Sequence, residues 1–198
     1  MDGILSYIID ALYSLPGILV GLSFHEWGHA YAAYKRGDPT ARNLGRMTVN
    51  PLAHIDPLGF LSLLILGFGW AKPVPVSTRN FKSPRKDELI VSLAGITVNL
   101  ILGVAFMIIW IVLICLPWSN EILNTMVQYC YTINFGLAVF NLLPIPPLDG
   151  GKLVLEVIGR IIGREVPLWV QGALSLIGIA IVLALFVFMV FQDVGRIL

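Results

Sequence analysis

His25, Glu26 and His29 stand at HExxH spacing inside the stretch LSFHEWGHAYAAY, Leu22 to Tyr34. On a helix, residues four apart sit about 40° apart around the axis, so both imidazoles leave from one face. Two imidazole nitrogens placed this way reach a single zinc ion at about 2.0–2.1 Å. Glu26, one position on, lies beside the metal, where it can take a proton from water that the metal activates. The run leading into the motif, ILSYIIDALYSLPGILVGLSF, is almost entirely apolar. Ionisable groups at the end of such a run are costly unless something compensates them. Coordination would do so. A pair of hydrogen-bonded helix histidines beside a capped glutamate is the plainer alternative.

A catalytic zinc takes three protein ligands and keeps one position open. His54 is the only other histidine, so the third ligand is His54 or a carboxylate. The best-placed carboxylate is Asp149 in FNLLPIPPLDGG, Phe140 to Gly151, which follows Pro144, Pro146 and Pro147 and precedes two glycines. Such residues break a helix at membrane depth, and broken backbone is tolerated there only where it is packed in protein or lines a watery cavity. Pro-Leu-Asp-Gly is equally an ordinary turn with a solvated aspartate. Spacing alone leaves both readings open.

The elements that must position these groups are membrane helices. Of the 198 residues, 57% are hydrophobic and 13% charged, and the mean hydropathy is +0.84. Soluble domains carry about 25% charged residues, so a soluble class is excluded. The net charge of +1 points to no charged partner, and no nucleic acid is expected. Bilayer spans need about 20 apolar residues, and four segments qualify: 3–34, 89–116, 124–143 and 169–191. Pro16 is expected to kink or split the first. The first run also lacks a basic region ahead of it and leads straight into the histidines, so it does not read as a removable leader. Leu58 to Trp70, LGFLSLLILGFGW, is too short to span and reads as re-entrant or partially inserted. Ala71 to Phe81, AKPVPVSTRNF, reads as an edge strand or extended segment, and Asn50 to Gly59, NPLAHIDPLG, as a loop. Cys115 and Cys130 form no metal or disulfide pattern and read as small apolar residues. The expected fold is therefore an all-α polytopic membrane protein. It has about four transmembrane helices, a short re-entrant segment and a small extended or β element, in one domain over 1–198.

Basic residues orient it. Lysines and arginines crowd the stretch from Lys35 to Lys86, and Lys152, Arg160 and Arg164 follow the third span, whereas PWSNEILN, Pro117 to Asn124, has none. By the positive-inside rule the basic stretches face the cytoplasm and 117–124 faces out. Leu58 to Trp70 must then enter and leave on one side, and both termini fall outside. His25 and His29 come to the cytoplasmic end of the first span.

HEWGHAY, GDPTARNLGRMTVNP, HIDPLG, WAKPVPV and NLLPIPPLDGG, in this order from Phe24 to Lys152, together resemble the site-2 protease family of intramembrane zinc metalloproteases. The likeness is to its small members built of little more than the membrane core. The resemblance implies one zinc ion held by His25, His29 and Asp149, with Glu26 as catalytic base. It implies that Asn141 helps hold substrate or the developing oxyanion, and that His54 either positions substrate or gates the site, or is a hydrogen-bonded loop histidine. It also implies a transmembrane protein as substrate, cut within the bilayer near its cytoplasmic end. The multi-pass enzyme would sit in the cell membrane with its active site toward the cytoplasm, in an oligomeric state left undetermined. LAGITVN, Leu93 to Asn99, departs from the family pattern at Ile96, where proline is usual, which bears on the helix around Asn99 and not on the zinc site. Two other readings are a catalytically inactive member that binds membrane clients, and a metal transporter. The first would have lost Glu26 or a ligand. The second often shows paired broken helices in duplicated halves, and no duplication is visible.

Overall fold

The computed structural model describes residues 2–66, 69–117, 119–146, 148–164 and 166–197. Seven helices follow one another: α1 (Asp2–Arg36), α2 (Thr40–Asn43), α3 (Pro57–Leu66), α4 (Pro84–Ile114), α5 (Glu121–Leu142), α6 (Asp149–Ile162) and α7 (Leu168–Ile197). Two 3-10 turns, Pro51–Ala53 and Thr78–Asn80, lie between them. The described residues contain no sheet. The chain divides into two compact units, Met1–Val139 and Phe140–Leu198, with the boundary inside α5.

In the first unit, α1 runs unbroken through Pro16, so the expected split does not occur. Its end follows from Gly37, whose φ of +108° suits a residue without Cβ. Gly37 N–H donates to the Tyr34 carbonyl and Asp38 N–H to the Ala33 carbonyl, the paired bonds that close a helix C-terminus. Lys35 and Arg36 in the last turn complement the helix dipole. One side of α1 is lined with glycine because other helices come very close. A Cβ on Gly17 would lie 2.9 Å from Cys130 Cα, and one on Gly28 would lie 3.2 Å from the Ala94 carbonyl oxygen. Small residues allow such approach where lipid supplies no hydrophobic drive between helices. Ala33, Phe81 and Val91 form the buried cluster under the basic loops.

Residues 57–71 fold back on themselves. A Cβ on Gly59 would collide with the Trp70 carbonyl oxygen, and one on Gly69 with that of Gly59. Ile55 and Ala71 form a single antiparallel bridge. The two ends of the expected re-entrant segment are therefore neighbours; Gly67 and Phe68 within it lie outside the described residues. At about 1.5 Å per residue, the ten residues of α3 reach about 15 Å, half a bilayer core. The expected edge strand has no ladder. The stretch after Ala71 is extended, but Pro73 and Pro75 have no N–H to donate, and the Val74 and Ser77 N–H groups go to the side chains of Glu26 and Asp38. Lys72 N–H donates to the His54 carbonyl at 2.8 Å, and the segment closes in the turn Thr78–Asn80.

Among the described residues, three stretches are long and apolar enough to cross a membrane: Leu5–Arg36, Pro84–Ile114 and Leu168–Phe188. The expected third span, 124–143, is helical as α5 but falls outside that set. Asn124, Gln128, Asn134 and Asn141 lower its hydropathy.

In the second unit the break between α5 and α6 lies over the N-terminus of α6. A Cβ on Gly150 would strike the Leu142 and Leu143 carbonyls, and one on Gly151 would lie 2.6 Å from the Ile145 carbonyl carbon. The two glycines after Asp149 are thus a requirement of close backbone packing. Pro147 lies outside the described residues. Gly163, at φ +75°, ends α6.

Candidate metal centre

His25 and His29 lie one turn apart on α1, 6% and 8% exposed. Their Nε2 atoms face each other at 3.0 Å. The opposite nitrogens are both engaged: His25 Nδ1 is 2.6 Å from Asn99 Oδ1, and His29 Nδ1 is 2.7 Å from the Val91 carbonyl oxygen. A backbone carbonyl only accepts, so His29 Nδ1 carries the proton. Asn99 Nδ2 donates to the Gly21 carbonyl at 3.0 Å, which turns its Oδ1 toward His25, so His25 Nδ1 carries its proton as well. Each ring therefore directs an Nε2 lone pair at the other. Two lone pairs at that distance repel unless a cation lies between them. A tetrahedral zinc with bonds of about 2.0–2.1 Å would hold two nitrogens about 3.3 Å apart. The donor set fits such an ion, and the Nδ1 partners are the outer contacts that set the tautomer of metal-binding histidines.

Room for the rings comes from α4. A Cβ on Gly95 would lie 2.5 Å from His29 Nε2, 2.6 Å from His25 Cε1 and 2.8 Å from His25 Nδ1. One turn further along α4 is Asn99, 0% exposed. α4 runs unbroken past Ile96, itself buried, so the departure from the family pattern leaves the helix continuous. Its Asn99 contacts His25, so this stretch belongs to the metal centre, contrary to the expectation from sequence.

Glu26 is half-buried beside the histidines. Its Oε2 accepts the Val74 N–H at 2.8 Å, the single N–H that Pro73-Val74-Pro75 possesses. Further along, Asp38 is fully buried and accepts from Ser77 N–H at 2.7 Å, Asn80 Nδ2 at 2.8 Å, and the backbone and hydroxyl of Thr40. Burial pulls this carboxyl upward, but the four hydrogen bonds outweigh it and hold the carboxyl below the ordinary aspartate range. Arg46 Nη2 donates to the Lys72 carbonyl at 2.8 Å. The extended segment is thus tied to Glu26 of α1, to Asp38 just past the end of α1 and to Arg46 beyond α2.

His54 is 2% exposed and donates from Nε2 to the Thr48 carbonyl at 2.7 Å. Asn50 caps the adjoining turn through Leu52 N–H. Asp149 and Asn141 belong to the second unit. Asp149 opens α6, is 4% exposed, and accepts from Lys152 Nζ at 2.9 Å. Asn141 is half-buried in the last turn of α5. Within the first unit, then, His25, His29 and Glu26 come together with Gly95, Asn99 and the Val74 N–H. None of the last three was singled out from the sequence as a site residue. Their signal was present: a glycine and an asparagine four apart in an otherwise apolar helix lie on one face, and a buried polar residue there needs a partner.

Residues 116–185 match peptidase family M50. YwhC of Bacillus subtilis, which bears a zinc metalloprotease name, is 40% identical over 166 residues, covering 80% of this chain and 75% of that protein. Rip2 of Mycolicibacterium smegmatis, named likewise, is 32% identical over 155 residues, covering 74% of this chain and 57% of Rip2. Eep of Enterococcus faecalis, which bears a protease name, is 37% identical over 78 residues, covering 39% of this chain and 18% of Eep. No solved structure matches.

Proposed function

This chain belongs to peptidase family M50, the site-2 zinc metalloproteases, and from that premise we propose that it cuts transmembrane segments of other membrane proteins near their cytoplasmic ends. The observation that carries the reading is the pair of buried Nε2 atoms facing each other at 3.0 Å with both Nδ1 atoms engaged elsewhere.

His25, His29 and Asp149 would hold the zinc. Asp149 is supported by its burial at the first turn of α6 and by the family resemblance of its LDG motif. When bound, the ion supplies Lewis acidity and lowers the pKa of water toward about 7. Glu26 takes the proton from the attacking water and passes it to the leaving amine, while Val74 N–H fixes the position of its carboxylate. Asn141 is assigned as a donor to the developing oxyanion. His54 is assigned to hold the loop that ends at Lys72.

The enzyme is a multi-pass membrane protein with membrane-protein substrates. In this proposal α5 is a fourth span whose polar residues face other helices, α3 dips in from the cytoplasmic side, and the active site faces the cytoplasm. One functional domain extends over both units. The inactive-member and transporter readings are not favoured, since Glu26 and the three ligand candidates are all present and the relatives carry metalloprotease names. The test is co-expression with candidate single-span proteins, comparing the intact enzyme with Glu26→Gln. The expected result is cleavage by the intact enzyme only, with equal zinc in both. Cleavage that survives Glu26→Gln overturns the mechanism.

A further inference from the structure

Asn99 and Asn134 are both 0% exposed within apolar helices. A buried amide has two N–H donors and an oxygen to satisfy, and an unsatisfied one destabilises the site that contains it. Asn99 Nδ2 donates to the Gly21 carbonyl and to Asn134 Oδ1, each at 3.0 Å. Asn134 Nδ2 in turn donates to the Cys130 carbonyl at 2.8 Å. Backbone carbonyls only accept, so the order propagates in one direction. Cys130 draws the N–H end of Asn134 toward itself, which aims Asn134 Oδ1 at Asn99. Asn99 then faces its N–H end away from His25 and its oxygen toward the ring. His25 Nδ1 must donate, and Nε2 keeps its lone pair for a metal.

We propose that Asn134 of α5 is a positioning residue for the metal centre, acting through Asn99 on the tautomer and orientation of His25. This rests on the zinc metalloprotease reading. Gly21 satisfies one N–H of Asn99, and Asn134 is the acceptor for the other. Without it a buried donor is stranded beside a ligand, and the Asn99 amide can rotate away from His25. The competing role is plain adhesion between α4 and α5, since polar side chains commonly join helices in this way. The two roles differ in what they move. Adhesion affects unfolding, whereas positioning affects metal affinity and operates only while Asn99 is present.

The experiment uses the purified full chain in detergent, stripped of metal and titrated with zinc against a chromophoric chelator. Thermal unfolding of the metal-free forms is recorded in parallel. His25→Ala is the reference for lost binding. Asn99→Ala is expected to weaken zinc by about 10–100-fold, the range for outer contacts of metal ligands, and Asn134→Leu by about tenfold, at its lower end. In the double variant Asn134→Leu should add nothing to Asn99→Ala, because one acts through the other. Asn134→Ser, which inserts no apolar bulk, carries the same expectation should the leucine variant not fold. Unchanged zinc affinity in the Asn134 variants, with only a lowered unfolding temperature, overturns the proposal. So do losses that simply add in the double variant. If the unaltered chain binds no zinc, the metalloprotease reading falls and takes this with it; failure in the Asn134 variants alone leaves that reading standing.

Discussion

At the residue scale, small groups do most of the positioning. Gly95 admits both imidazoles because it has no Cβ. Gly95→Ala is expected to reduce zinc binding at least as much as losing an outer contact does, about 10–100-fold, with α4 intact because alanine is a good helix former. Zinc content together with helicity by circular dichroism checks both halves. Asp38 is the other decisive residue, a buried carboxylate with four donors. Its pKa in the folded chain is depressed. Its contribution is therefore fully present above the unfolded value near 3.9 and is lost as pH falls through the lower folded value. Asp38→Asn, which puts a donor where acceptors are needed, should cost about 1–3 kcal/mol and remove the acid-dependent part of the stability. Limited proteolysis at Arg79 between pH 3 and 6 would show this. If the variant and the unaltered chain loosen identically with acid, Asp38 is not the group responsible.

At the element scale, the extended segment after Ala71 acts as a strap. Its N–H groups at Lys72, Val74 and Ser77 go to the His54 carbonyl, Glu26 and Asp38, and Pro73 and Pro75 on either side of Val74 have none to donate. Val74→Pro removes the N–H that holds Glu26 while leaving every metal ligand in place. A hydrogen bond to a charged group contributes about 1.5–3 kcal/mol, so turnover should fall roughly 10–100-fold with zinc content unchanged. Loss of zinc in that variant would show that the strap supports the metal centre itself rather than the base. The same strap explains why edge-strand chemistry was expected here and no strand formed. Extended backbone needs a partner with alternating donors and acceptors, and Pro73 and Pro75 remove two donors close together.

At the scale of the whole molecule, the ends of residues 57–71 are neighbours, which supports the proposal that both flanks of that segment face the cytoplasm. With Cys115 and Cys130 replaced, a cysteine at Lys82 should react with a membrane-impermeant reagent only after permeabilisation, whereas one at Asn120 should react in intact cells. Outside labelling at Lys82 would sink the proposed orientation. Substrate choice belongs to this scale as well. A helix offers no accessible carbonyl, and unwinding a turn in lipid strands backbone groups at several kcal/mol each. Glycine and proline lower that cost, with helix penalties of about 1 and 3 kcal/mol. Cleavage should therefore depend on such residues near the cytoplasmic end of the substrate segment. Replacing them with leucine should slow cutting, and an all-leucine segment cut at the native rate would refute the idea.

The chemistry of His25, Glu26 and His29 was legible from the chain alone, because helical periodicity places residues four apart on one face whatever surrounds them. So were the three apolar spans and the turned-back segment, since apolar length and charge asymmetry are properties of composition. A fourth span at 124–143 was expected as well, but α5 is not among the stretches apolar enough to cross a membrane in the described residues, and the partner of the strap was not legible. Asn134 lowers the hydropathy of α5 although its side chain is buried, since hydropathy cannot distinguish a polar group facing lipid from one satisfied by Cys130 and Asn99. Likewise AKPVPVSTRNF carries the pattern of an extended segment, but the Lys72, Val74 and Ser77 N–H groups go to residues 18 to 48 positions away in the chain. Local pattern specifies which groups need partners. Only the packing of α1 against α4 and the folding back of the strap decided which partners they have.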